Sequence, residues 1–155
     1  MLIEDDAVEA DLIKTVMADP SLGERINVIN SGEEALKMLH REPPYTDQPL
    51  PGLILLDLHL PRIDGHQILR DIRKNSATQY IPVVVFTGAS ESKELEEVYA
   101  EDANCVIQKP TNSAEYIRTV KTIANFWLRT VTLPPGDQYR WFYARSKTHF
   151  INWRQ

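Results

Sequence analysis

The sequence predicts an α/β fold built on a doubly wound parallel sheet. Short apolar runs alternate with longer amphipathic stretches, five of each. The runs are β-branched or leucine-rich with no polar alternation, which is how strands look when both faces of a sheet are covered. Strand-then-helix alternation implies successive right-handed βα units. In such a sheet the chemistry gathers at the carboxyl ends of the strands.

The predicted strands are Met1-Leu2-Ile3, Ile26-Asn27-Val28-Ile29, Leu53-Ile54-Leu55-Leu56, Ile81 to Phe86 and Cys105-Val106-Ile107. Between them, Ala7 to Met17 carries Val8, Leu12, Ile13 and Val16 as one face of a first helix. Ser31-Gly32-Glu33-Glu34 reads as a capping box opening a helix that buries Ala35, Leu36 and Leu39. Ile68, Leu69 and Ile72 mark a third helix, with Asp64 as its cap, and Leu95, Val98 and Tyr99 a fourth. Tyr116, Ile117, Val120, Ile123, Ala124 and Trp127 mark a long fifth, capped by Asn112 or Ser113. The first strand is short, which suggests that native residues precede Met1.

At 155 residues the chain has the length of one domain, and 43% hydrophobic with 25% charged residues is an ordinary soluble composition. A net charge of -5 argues against nucleic acid as the general partner. No apolar stretch is long enough for a membrane span and no signal peptide opens the chain, so the expected place is the cytoplasm. The single cysteine, Cys105, fits a reducing compartment and reads as a small buried side chain.

After Leu133-Pro134-Pro135-Gly136 the pattern breaks, and six of the thirteen aromatic residues follow: Tyr139, Trp141, Phe142, Tyr143, Phe150 and Trp153. Charge inverts there, with Arg140, Arg145, Lys147 and Arg154 against Asp137. We therefore divide the chain into residues 1–133 and an extension, 134–155. The extension could pack on its own domain, form a basic-aromatic nucleic-acid surface, or reach a second copy as an arm across the proline hinge. The arm is the preferred reading, with a homodimer through the fifth helix and the extension.

Candidate chemistry lies just past the strands: Glu4-Asp5-Asp6 after the first, Asp57 after the third, Thr87-Gly88 after the fourth and Lys109-Pro110 after the fifth. Clustered carboxylates repel unless some are protonated or a cation binds, and an all-oxygen set suits Mg²⁺. Asp57 could then act as a nucleophile forming an acyl phosphate, with Lys109 pairing with phosphoryl oxygens and Thr87 donating to one. Gly88 would leave space for a donor or an attacking water. Alone, the acidic triplet could merely cap a helix. His40, His66 and His149 have no metal-ligand spacing and are assigned to the surface. The run Glu91, Glu94, Glu96, Glu97 and Glu101 reads as a solvated helix face.

The run Leu55-Leu56-Asp57-Leu58-His59-Leu60-Pro61-Arg62-Ile63-Asp64-Gly65 resembles the phosphoacceptor motif of the receiver domains of two-component response regulators. Ile3-Glu4-Asp5-Asp6, Val83 to Gly88 and Lys109-Pro110 resemble the family's other motifs, in the same order, over roughly residues 1 to 130. The resemblance implies a flavodoxin-like (βα)5 sheet of strand order 2-1-3-4-5 and a protein that is a phosphoacceptor rather than an enzyme on other molecules. It implies Asp57 as phosphoacceptor, with Asp5, Asp57 and the backbone carbonyl of His59 as Mg²⁺ ligands and Glu4 holding the metal through water. Thr87 would be the switch hydroxyl, Gly88 part of the phosphate pocket, and Lys109 the phosphate partner and catalytic lysine. A sensor histidine kinase is the implied partner, with a downstream histidine phosphotransfer or effector protein beyond it.

Asn104-Cys105, Phe126-Trp127-Leu128, Thr132-Leu133-Pro134 and the long loop from Arg41 to Pro51 resemble the single-domain regulators of bacterial phytochrome kinases. Two positions depart from the family. Val106 stands where an aromatic side chain usually swings with the threonine switch, and His59 stands where Asn or Met is common. Val106 alone supports the alternative of a phosphorylation-independent interaction protein on the same fold. A haloacid-dehalogenase-type phosphatase would need an acid at His59, a flavin carrier a hydroxyl-rich loop after the first strand, and a nucleotide hydrolase a Gly-rich loop ending in Lys-Ser/Thr.

Overall fold

The computed structural model describes residues 1–18, 26–88 and 91–134. Five parallel strands, β1 (Leu2–Ile3), β2 (Val28–Ile29), β3 (Ile54–Leu56), β4 (Val83–Thr87) and β5 (Cys105–Gln108), form one sheet in the order β2-β1-β3-β4-β5. The helices are α1 (Ala7–Met17), α2 (Gly32–Leu39), α3 (Gly65–Lys74), α4 (Ser92–Ala100) and α5 (Ser113–Ala124), the last continuing as a π-helical stretch over Asn125–Thr130. The predicted doubly wound sheet and its order are thus observed.

The strands are apolar on both sides because the sheet divides two cores. Ile3, Ile54, Leu56, Val83 and Val85 face one cluster with α2 and α3, while Leu2, Leu55, Val84 and Phe86 face the other with α1 and α5. Alternate residues of a strand point to opposite faces, so a three-residue strand such as β3 serves both cores.

Helix starts follow local chemistry. Asp6, Ser31, Asp64 and Asn112 each accept a backbone N–H of the first turn, at 2.7–3.3 Å. Asn112, not Ser113, caps α5. The Glu34 carboxylate accepts the Tyr45 hydroxyl, tying α2 to the long loop that follows it.

Three sequence readings need correction. Val8 is 78% exposed; α1 buries Ala10, Ile13 and Met17, with the predicted Leu12 and Val16 half-buried against the same core. Tyr99 is likewise 56% exposed, and α4 buries Val98 alone. Cys105 is only half-buried because β5 is the edge strand. The aromatic extension and His149 lie outside the described residues.

Candidate functional site

Parallel register brings the strand ends together. Ile3 pairs with Leu56, so Glu4 and Asp57 are neighbours one residue further on; Thr87 pairs with Gln108, so Lys109 emerges beside it. The Asp57 amide donates to Ile3 O at 3.1 Å and the Lys109 amide to Thr87 O at 2.7 Å, fixing both main chains at the sheet edge. Gly65 closes the loop behind Asp57: a Cβ there would stand 2.5 Å from Asp57 O and from Leu58 Cα. Only glycine lets α3 begin that close to the strand.

Lys109 Nζ lies 2.8 Å from Asp57 Oδ2, 2.8 Å from Glu4 Oε2 and 2.6 Å from Glu9 Oε2. Glu4, Asp57 and Thr87 are buried, Asp5 is exposed, and among the described residues nothing lies within 4 Å of a hypothetical Cβ on Gly88. The His59 amide donates to Asp57 Oδ1 at 3.2 Å, and Thr87 Oγ1 sits 3.4 Å from His59 Nδ1. The acidic triplet divides its labour. Asp6 is the cap of α1, while Glu4 and Asp5 join Asp57, each offering an oxygen within 4.8 Å of the others.

Burial pushes the Glu4 carboxyl above the usual carboxylate range; the Lys109 ammonium opposes that, and Asp57 and Glu9 reinforce it. For Lys109, burial works to lower its pKa, but hydrogen bonds to Asp57, Glu4 and Glu9 prevail and hold it well above an ordinary lysine. Lys109 pairs with Glu4, Glu9 and Asp57, and Asp5 stands beside Glu4 and Asp57, so among the described residues these carboxylates outnumber the ammonium at the cluster. The donor set fits a hard divalent ion, being all oxygen, with one exposed acid open to water.

Two members escaped the sequence reading. Glu9 reaches Lys109 from the first turn of α1, and the Tyr116 hydroxyl donates to Glu9 Oε2 at 3.1 Å from α5. Burial, and then Glu9, raises the Tyr116 phenol pKa, keeping it a donor. Glu9 lies in the helix that follows the acidic triplet, the one sequence signal that could have found it. His66 was assigned to the surface, yet its side chain is 17% exposed and its Nδ1 lies 2.8 Å from Glu101 Oε2. Glu94 and Glu101, read as a solvated face, are paired with histidines and an arginine.

Residues 1–121 match the model of the response regulator receiver domain. The chain belongs to that family. This receiver is 34% identical over 134 residues to the response regulator Rcp1 of Synechocystis sp., covering 86% of this chain and 91% of Rcp1. The phosphorylated cyanobacterial phytochrome response regulator RcpA superposes with a TM-score of 0.83 at 34% identity, covering 86% of this chain and 95% of RcpA. The manganese-bound form of Rcp1 gives the same TM-score of 0.83 at 34% identity, over 86% of this chain and 96% of that one. The magnesium-bound receiver domain of the Pseudomonas aeruginosa sensor kinase PA1611 matches at 0.60 and 25% identity, over 80% and 94% of the two chains. Receivers of this family bind a divalent metal, and this receiver is a component of two-component signalling that works with a histidine kinase. Among the described residues no helix is long and apolar enough to cross a membrane.

Proposed function

We propose that the receiver takes a phosphoryl group onto Asp57 from a phytochrome-type sensor histidine kinase, in a reaction that requires Mg²⁺. The observation that carries this is Lys109 Nζ at 2.8 Å from both Asp57 and Glu4, with Asp5 completing a carboxylate cluster. An Asp57 carboxylate oxygen attacks phosphorus, a new O–P bond forms, and the P–N bond to the kinase histidine breaks. Asp5, Asp57 and the His59 carbonyl would hold the ion, and Glu4 would hold it through water. Bound there, Mg²⁺ neutralises charge on the phosphoryl oxygens. Lys109 moves its pairing from carboxylates to phosphoryl oxygens, and the Thr87 hydroxyl donates to another. The open volume at Gly88 admits the donor and later a water.

The receiver proper spans 1–133, and 134–155 is an arm that docks on a second copy in the cytoplasm. Support comes from an apolar groove along β5 and α5, lined by Cys105, Ile107, Ile123, Phe126 and Trp127, beside which Phe126 is 52% exposed. The arm's basic residues are opposite in charge to the exposed acids Glu91, Glu96 and Glu97 at and after the start of α4. Output then runs through protein contacts, to a histidine phosphotransfer protein or an effector.

Incubation with a phytochrome-type kinase, Mg²⁺ and labelled ATP should label the wild type and leave Asp57→Asn unlabelled. Label on both would remove Asp57 from the role. A chain ending at Leu133 should elute as a monomer in sizing chromatography; a dimer would discard the arm.

A further inference from the structure

Beside the acceptor site runs a second set of polar contacts that phosphoryl transfer does not use. His59 Nδ1 faces Thr87 Oγ1 at 3.4 Å, and on the other side of the ring Nε2 lies 3.2 Å from Glu94 Oε1 on α4. The same Glu94 oxygen is 3.9 Å from His66 Nε2, whose Nδ1 contacts Glu101 at 2.8 Å; Arg70 donates to Glu101 at 2.5 Å. A carboxylate only accepts, so Glu94 keeps a ring proton of His59 on Nε2 and leaves Nδ1 to the Thr87 hydroxyl. A single imidazole thus bridges the switch hydroxyl and the first turn of α4.

The element it reaches is lightly held. Helix α4 buries Val98 alone, and its Glu91 cap makes no side-chain hydrogen bond to the first turn. Elements with little buried apolar surface open and shift at low free-energy cost. Val106, half-buried against the α2–α3 core, has no polar atom with which to follow Thr87.

We propose that His59, spanning Thr87 and Glu94, is the positioning residue that reports phosphorylation to α4, replacing an aromatic side chain on β5. The proposal rests on Thr87 being the switch hydroxyl of the function above. When the Thr87 hydroxyl turns to a phosphoryl oxygen, Nδ1 loses its partner and the ring no longer holds Glu94 in register. His66 is placed to take that carboxylate, so α4 has two arrangements: Glu94 on His59, or Glu94 on His66. The contacts are partly exposed and individually weak, which suits a switch that must be reversed by loss of one phosphoryl group.

The test uses the full chain with Mg²⁺, with and without beryllofluoride as a stable phosphoryl mimic, and reads amide hydrogen exchange over α4. Loading the wild type should change α4 exchange by about two- to fivefold, the scale of a partly exposed pair, while α3 stays constant. Glu94→Ala should remove that difference and still take phosphoryl from phosphoramidate at the wild-type rate. His59→Ala should remove it too, and the double variant should add nothing, because both substitutions cut one bridge. A wild-type response in Glu94→Ala, or additive effects in the double variant, would overturn the coupling role. If the wild type takes no phosphoryl from phosphoramidate, the underlying function is wrong, and that outcome is separate from an intact uptake with an uncoupled α4.

Discussion

Helices α3 and α4 lie side by side and are of similar length, ten and nine residues, but different forces hold them. Helix α3 buries Gly65, Ile68, Leu69 and Ile72, and its Asp64 cap accepts Gln67 N at 2.7 Å. Helix α4 buries Val98 alone and is tied down through Glu94 and Glu101 to His59, His66 and Arg70. Apolar burial is indifferent to the charge state of the nearby site, whereas ion pairs answer to it. Two helices beside the Asp57–Lys109 cluster are thus anchored by different forces.

The contrast can be broken by exchanging what each helix depends on. The largest effect should come from Ile72→Ala, which empties a fully buried site; urea unfolding should show a loss of about 2–5 kcal/mol. Gly65→Ala should cost about 1–3 kcal/mol, since a Cβ 2.5 Å from Asp57 O forces the strand end and α3 apart. The same change should slow phosphoryl uptake, because Asp57 moves with its main chain. Val98→Ala should cost roughly 1–2 kcal/mol globally and should raise hydrogen exchange most in α4; uniform exchange across α3 and α4 would show that the two are equally anchored.

Smaller effects probe the charge side. Glu101→Gln weakens the links to His66 and Arg70, and a stability loss of about 1 kcal/mol or less is expected. Raising salt to 1 M, where the screening length falls to about 3 Å, should speed exchange in α4 and leave α3 unchanged. Lys93→Ala, removing an exposed pair with Glu97 at 3.8 Å, should change stability by no more than about 0.5 kcal/mol.

Much of this molecule was legible in one dimension. Alternating apolar runs announced the sheet, and four separated motifs marked Glu4, Asp5, Asp57, Thr87 and Lys109, the residues that meet at its edge. Local rules also located the cap at Asp64 and narrowed that of α5 to Asn112 or Ser113, because a cap is a contact within three residues. The faces of short helices were less legible. Val8 and Tyr99 satisfied helical spacing yet stand exposed, since periodicity reports a stripe and not its angle to the sheet.

The sequence by itself determined the architecture and the order of the strand-end groups, because those depend on residue type and local spacing. Only the tertiary structure decided that Glu9 and Tyr116 complete the shell around Lys109, that Asp6 caps while Glu4 and Asp5 face Asp57, and that His59 bridges to Glu94. These contacts join segments far apart along the chain. Their partners are chosen by strand register and helix orientation, which no local pattern encodes.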